Sequence, residues 1–234
     1  MVFLYILAWI VQVYWYRKCK IFKLKKNNVT YQEDKILHDL SFQIQSGEFV
    51  YLTGKSGAGK SSLLRLLHGE LSFSGDFIFR EHDVQFEVPD YRRQFQKMVK
   101  YVSQQLMFDS SKTVVENLAI YDHFKRKAQN SVAENVAKWL SIFSLSHLRE
   151  HYPDEISGGD QSRLALAMAL TTQPRILLLD EPTANLDPKM SARVLTYLES
   201  LNAQGVTIIL ATHDASILEK FPHRCLELRE GEIV

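Results

Sequence analysis

The sequence predicts an α/β protein whose sheet is parallel and covered by helices on both faces. Two observations carry this. Short apolar runs at Glu48–Thr53, Arg175–Leu179 and Val206–Ala211 read as strands buried on both sides, because a strand with one wet face would alternate. Segments whose apolar residues recur at helical spacing lie between those runs, giving the strand and helix alternation of a parallel sheet.

Taken in order, Ile21–Tyr31 and Ile36–Ile44 alternate apolar and polar residues as half-buried strands do, and Ser46-Gly47 turns the chain into the buried strand that ends at Thr53. Glycines follow, and Ser61–His68 then places Leu63, Leu64, Leu66 and Leu67 at helical spacing. A hairpin-like stretch is expected around Ser74-Gly75. Thr113–Leu148 reads as helical and amphipathic, a candidate inserted subdomain. Asp160–Leu170 and Met190–Leu201 are predicted helices flanking the strand at Arg175–Leu179.

A chain of 234 residues supports one sizeable core with a small insertion rather than two full α/β domains. With 28 basic and 27 acidic side chains the formal net charge is +1, so no global field draws the body to nucleic acid, and no nucleic-acid partner is expected. Cys19 and Cys225 show neither metal spacing nor a disulfide framework. The N-terminus differs from this even composition. Met1–Tyr16 is apolar and aromatic apart from Gln12, and Arg17, Lys18, Lys20, Lys23, Lys25 and Lys26 follow. Residues 1–20 are read as an extension outside the fold, or a misassigned start. A run this short of the ~20 residues a helix needs to span a bilayer leaves an extra membrane contact as the other reading.

The chemistry concentrates in three segments. Gly54-Lys-Ser-Gly-Ala-Gly-Lys-Ser61 has the spacing of a phosphate-binding loop, and it sits between a strand and a helix as that pattern requires. Gly54, Gly57, Ala58 and Gly59 let backbone N–H groups wrap phosphate oxygens, and the helix start adds a favourable dipole. Lys60 is placed to reach the β and γ oxygens of ATP, Ser61 to put a hydroxyl on Mg²⁺, and Lys55 and Ser56 to shape the loop, with Ser62 supplying a second hydroxyl. In Arg175-Ile-Leu-Leu-Leu-Asp180-Glu181-Pro182 a strand ends in two acids. Asp180 is read as a Mg²⁺ residue acting through water and Glu181 as the group that orients or deprotonates the attacking water. Ile156-Ser157-Gly158-Gly159-Asp160-Gln161-Ser162-Arg163 offers a serine hydroxyl and glycine N–H groups at a helix start, a second anion site in the same chain.

With these segments in this order, the sequence resembles the ATP-binding cassette (ABC) superfamily, whose Leu-Ser-Gly-Gly-Gln segment precedes a helix. The resemblance covers residues 21–234. It implies a RecA-like core with a mixed sheet, an antiparallel β-subdomain and an inserted helical subdomain at about 105–165. It also implies that Gln104 is a catalytic and metal-contacting residue, that Asp187 follows the acidic pair in the nucleotide site, that His213 is a switch histidine, and that Tyr31 stacks on adenine. In such proteins Ser157–Gly159 of one copy would close over the γ-phosphate held by another, so the implied assembly is a cassette dimer, a homodimer of two like copies. Asp160 stands where glutamine is usual, which puts a carboxylate toward the opposite protomer's phosphates and is the one feature favouring an ATP-binding scaffold with weak hydrolysis.

Within the superfamily, Gly47–Lys60, Thr113-Val-Val-Glu-Asn117, Gly205-Val-Thr with Ala211-Thr-His-Asp214, and Phe221-Pro-His-Arg224 resemble the FtsE family of bacterial cell-division ATPases. That implies a transmembrane FtsX-like permease partner, signalling to cell-wall hydrolases, and a place on the cytoplasmic face of the inner membrane. ATPases of lipoprotein-release and macrolide-efflux systems share most of these features and form the alternative.

Overall fold

A computed structural model describes residues 20–31, 34–123 and 130–234. The apolar segment Met1–Tyr16, Cys19 and the Tyr31 side chain lie outside the described residues. The chain divides into two compact units. One takes in the described residues up to Tyr101 with Arg175–Asp180 and Tyr197–Val234, and the other Val102–Pro174 with Glu181–Thr196.

In the first unit, β1 (Lys20–Tyr31) pairs antiparallel with β2 (Asp34–Gln45) and with β4 (Ser74–Phe79), and β5 (His82–Asp83) completes a four-stranded sheet in the order β2-β1-β4-β5. Phe22, Leu24 and Val29 point into the core while Lys23 and Lys25 stay exposed, which is the alternation expected of strands with one wet face. The hairpin lies elsewhere than around Ser74-Gly75. Those residues begin β4, and the chain reverses at Arg80-Glu81, both at positive φ. Gly75 answers a different need: a Cβ there would sit 2.3 Å from the Lys26 carbonyl oxygen, where β1 is irregular.

The second sheet runs β10-β9-β3-β8-β7-β6, with β3 at Phe49–Thr53, β6 at Val99–Val102, β7 at Ile176–Asp180, β8 at Thr207–Ala211, β9 at Arg224–Arg229 and β10 at Glu232–Ile233. β3 pairs parallel with β8 and β9, β8 pairs parallel with β7, and β10 closes the edge antiparallel, so the sheet is mixed. All five residues of β7 and of β8 are buried, as their unbroken apolar character requires. Helix α1 (Lys60–Leu67) buries Leu63, Leu64, Leu66 and Leu67 in the core that also holds Leu37, Leu52, Leu178 and Ile209. Helix α2 (Pro89–Met98) carries only Phe95 as a buried residue, which packs edge-on to Phe79 at 4.8 Å.

The second unit is helical: α3 (Val114–His123), α4 (Asn130–Ile142), α5 (Gly158–Thr171) and the start of α6 (Pro188–Ala203). Its two stretches, Val102–Pro174 and Glu181–Thr196, lie on either side of β7. Val114, Leu118, Trp139, Leu140, Phe143 and Leu164 are buried. Asn117 is 1% exposed; its Oδ1 accepts from the Asp109 N–H, and its Nδ2 faces the carbonyls of Asp109, Lys112 and Thr113. That side chain therefore ties the preceding loop to the first turn of α3, where Thr113 and Glu116 form a capping box. No helix among the described residues is long and apolar enough to cross a membrane.

Candidate functional site

The parallel register sets the first part of the site. Leu52 of β3 lies opposite Ala211 of β8, and Ala211 lies opposite Asp180 of β7. The carboxyl ends of three buried strands thus align in one row. Gly54 starts two residues beyond Leu52, His213 lies two residues beyond Ala211, and Asp180 closes its own strand. Ligands of open parallel sheets bind at this edge.

The Gly54–Ser61 loop has the backbone its glycines permit. Gly54, Gly57 and Gly59 have φ of 142°, 79° and 102°, a region that costs any residue with a Cβ. Gly54 has no spare room either, since a Cβ would stand 2.2 Å from the Leu228 carbonyl oxygen. Gly59 is the N-cap of α1, no side chain caps that helix, and its first turn holds no acid. The first turn of α1 is therefore a ready anion site with its dipole uncompensated. Lys60 is 9% exposed, and its Nζ donates to the Gly54 and Lys55 carbonyl oxygens at 2.8 and 3.1 Å. These two bonds hold the ammonium over the loop. Ala58 packs inward, while Lys55, Ser56 and Ser61 are exposed and Ser62 is half-buried.

Asp180 is 4% exposed. Its Oδ2 accepts a hydrogen bond from the Tyr101 hydroxyl at 3.1 Å, and among the described residues Oδ1 accepts none. The uncommitted oxygen of the nearly buried Asp180 carboxylate and the exposed Ser61 hydroxyl at the start of α1 are each hard oxygen donors of the kind Mg²⁺ takes. Burial and the Asp180 charge both push the Tyr101 hydroxyl well above the usual tyrosine range, so it stays a proton donor. His213 is exposed, and Asp214 beside it caps α7 (Ala215–Lys220) by accepting from the Ser216 N–H at 2.9 Å. Asp214's carboxyl is held below its ordinary range, first by its contact with Ser216.

The second unit holds the remaining residues. Ser157 is the N-cap of α5, and its hydroxyl oxygen accepts from the Asp160 N–H at 3.2 Å. Asp160 does not project away from its helix. Its Oδ2 accepts from the Ser157 N–H at 3.3 Å and from the Ser157 hydroxyl, and its Oδ1 pairs with Arg163. Arg163 is anchored in turn on the Phe143 carbonyl oxygen at 2.7 Å. The carboxylate expected to face a partner's phosphates is instead folded into a capping box and ion-paired. Gly159 is required by contact, since a Cβ would lie 2.8 Å from the Asn185 carbonyl oxygen, whereas Gly158 faces open space. This brings the serine-glycine segment against the loop that ends at Asp187. Asp187 accepts from the Lys189 and Met190 N–H groups, both at 3.0 Å, and caps α6, with Pro188 at its first position. Glu181 is held at φ 52°, a left-handed conformation costing on the order of 1 kcal/mol for a residue with a Cβ. Gln104 is exposed, and its side chain makes no hydrogen bond among the described residues.

Tyr101 and Arg163 are the residues to which the sequence alone assigns no role. Nothing local marks the tyrosine, whose partner is 79 residues away, but the Ser157-x-x-Asp160 spacing does carry the capping-box signal.

Comparison with known proteins agrees with this geometry. The family described as ABC transporter matches residues 37–184. The cell division ATP-binding protein FtsE of Streptococcus pneumoniae is 36% identical over 205 residues, covering 85% of this chain and 86% of that protein. The methionine import ATP-binding protein MetN 1 of Staphylococcus aureus is 34% identical over 200 residues, with 85% of this chain covered; the chain spans 59% of that protein. The dimeric structure of the ATP-binding cassette MJ0796 in a post-hydrolysis state bound to ADP and Pi superposes with a TM-score of 0.84 at 28% identity, covering 91% of this chain and 96% of that one.

Proposed function

The chain belongs to the ABC transporter family, and from that premise we propose that it is the ATPase of an FtsE-like complex, driven by MgATP and coupled through cassette dimerisation to a transmembrane, FtsX-like permease in cell division. The observation that carries the catalytic part is the Gly54–Ser61 loop, an uncapped helix start beneath a buried lysine at the carboxyl edge of the sheet. ATP hydrolysis itself is the activity of this family.

In this reading the loop N–H groups and Lys60 hold the phosphates and stabilise the charge that gathers on the transferred group. Ser61, Asp180 and Gln104 would hold Mg²⁺, which when bound would neutralise charge on the phosphate oxygens. Glu181, next in the chain to Asp180, orients the attacking water and takes up its proton, and His213 supports the same phosphate. Tyr31 stacks on adenine, Asp187 belongs to the nucleotide site, and Ser157–Gly159 close over the γ-phosphate held by a second copy. The dimeric MJ0796 structures support the pairing of two copies. The division role is supported by the FtsE similarity. The MetN similarity, nearly as high, favours a methionine importer as the second reading.

Glu181→Gln tests the catalytic core. ATP should accumulate a stable dimer on size exclusion while turnover falls about 100-fold or more. A variant that stays monomeric with ATP and keeps wild-type turnover would sink the assignment. Co-purification from membranes with an FtsX-like permease, rather than with a methionine permease, tests the partner.

A further inference from the structure

We propose that Tyr101 is a positioning residue for the metal site: its hydroxyl fixes the Asp180 carboxylate so that Oδ1, and not Oδ2, is presented to the divalent cation. This rests on the reading of Asp180 as the metal carboxylate. β6 carries Tyr101 next to β7, which ends at Asp180, so the hydroxyl approaches the carboxylate from a neighbouring strand at 3.1 Å. Asp180 is 4% exposed, so little bulk water reaches the carboxylate to orient it. A free carboxylate rotates about its last torsion through a broad, two-fold well. One committed oxygen removes that freedom and leaves the other to face the cation.

The tyrosine is itself held. Its ring packs at 5.8 Å from the His68 ring, and His68 bonds Glu70 at 2.8 Å. His68 is the C-cap of α1, the helix whose other end bears Lys60 and Ser61. The same short helix therefore carries the phosphate loop at its start and, at its end, the contact that steadies the metal carboxylate. Outer partners of this kind change metal affinity by about 10- to 100-fold when removed.

The test uses the full chain with Mn²⁺ as probe and a non-hydrolysable ATP analogue. Free and bound Mn²⁺ are read by electron paramagnetic resonance, and analogue binding without metal is measured separately. Tyr101→Phe keeps the ring on His68 and removes only the hydroxyl. It should weaken Mn²⁺ binding to the nucleotide complex about tenfold while metal-free analogue affinity stays within about twofold of wild type. Tyr101→Met, which lacks both ring and hydroxyl, should show the same loss of Mn²⁺ affinity, since packing is not the cause. It also stands in if the phenylalanine chain does not fold. Asp180→Asn serves as the control and should lose the metal-dependent part altogether. Wild-type Mn²⁺ affinity in Tyr101→Phe, with Asp180→Asn impaired, overturns the role of Tyr101 but leaves the Asp180 reading standing. Wild-type Mn²⁺ affinity in Asp180→Asn overturns both.

Discussion

The chain treats two helix starts in opposite ways. At α1 the N-cap is Gly59, no side chain caps the orphan N–H groups, and no acid opposes an incoming anion. At α5 the N-cap is Ser157, Asp160 closes a capping box in the first turn, and Arg163 neutralises the carboxylate. Both ends have the same dipole and the same unsatisfied donors. The first is kept open at the cost of helix stability, as a site that holds its own ligand must be. The second is satisfied from within and commits the Ser157 hydroxyl proton to Asp160. A phosphate brought by a second copy would have to compete for that proton, so closure here opposes a bond that α1 never makes.

The largest effect is expected at the open end. Lys60→Ala removes the ammonium held over the loop carbonyls and should lower turnover about 100-fold or more. Gly54→Ala places a Cβ against the Leu228 carbonyl oxygen and forces the loop to move, so nucleotide affinity should fall about tenfold with turnover following. Binding of a fluorescent ATP analogue, run beside a thermal melt, separates the two. If Gly54→Ala binds as wild type, the loop is not built as tightly as its contacts imply.

At the satisfied end the effects are smaller and fall on stability first. Asp160→Ala removes the carboxylate from both the cap and Arg163, whose Nε already lacks a partner among the described residues. It should cost about 1–2 kcal/mol, seen as a melting shift of about 2–4 °C per kcal/mol. Asp160→Gln restores the residue usual in the superfamily. It keeps a side-chain acceptor for the cap but not the charge, and a bond to an ionised acceptor is about twice as strong as a neutral one. It should therefore cost less stability than alanine and, in a Glu181→Gln background, reduce about threefold or more the ATP concentration that gives half-maximal dimer. Equal dimerisation with and without the Asp160→Gln change would leave Asp160 a stabilising cap and nothing more. No dimer in either chain would instead count against the cassette pairing.

Which of these features the sequence shows depends on how local their causes are. The phosphate loop and the buried strands β3, β7 and β8 are legible because glycine spacing and unbroken apolar runs are properties of a few consecutive residues. Helix α2 is not, since nine of its ten residues are exposed or half-buried and one aromatic, Phe95, anchors it. The Tyr101–Asp180 bond is created by strand order, which no window of residues reports. Asp160 shows an intermediate case. Its position three residues after Ser157 signals a capping box, yet its direction toward a partner's phosphates is inferred from the place a glutamine holds in the superfamily, and the side chain turns back on its own helix. Tyr31 as the adenine platform stays an expectation, because only its backbone is among the described residues.

The smallest expected effect lies at the far end of α1. His68 is mostly buried between Tyr101 and Glu70, and desolvation, opposed by Glu70 and assisted by the Lys100 charge, lowers its pKa from the ordinary 6.5. With the folded pKa below the unfolded one, the unfolded chain binds the proton first as pH falls. Stability is therefore full above the ordinary histidine value and declines as pH drops through the folded pKa. Urea midpoints should fall between about pH 7.5 and about pH 5 in wild type, and His68→Gln should flatten part of that slope. Should the glutamine chain keep the whole slope, the acid sensitivity belongs to other groups, and the end of α1 that steadies Tyr101 is not where protonation is felt. Should it flatten, turnover at saturating metal should be less pH-sensitive in the same window, because the helix that ends at His68 is the one that begins at Lys60.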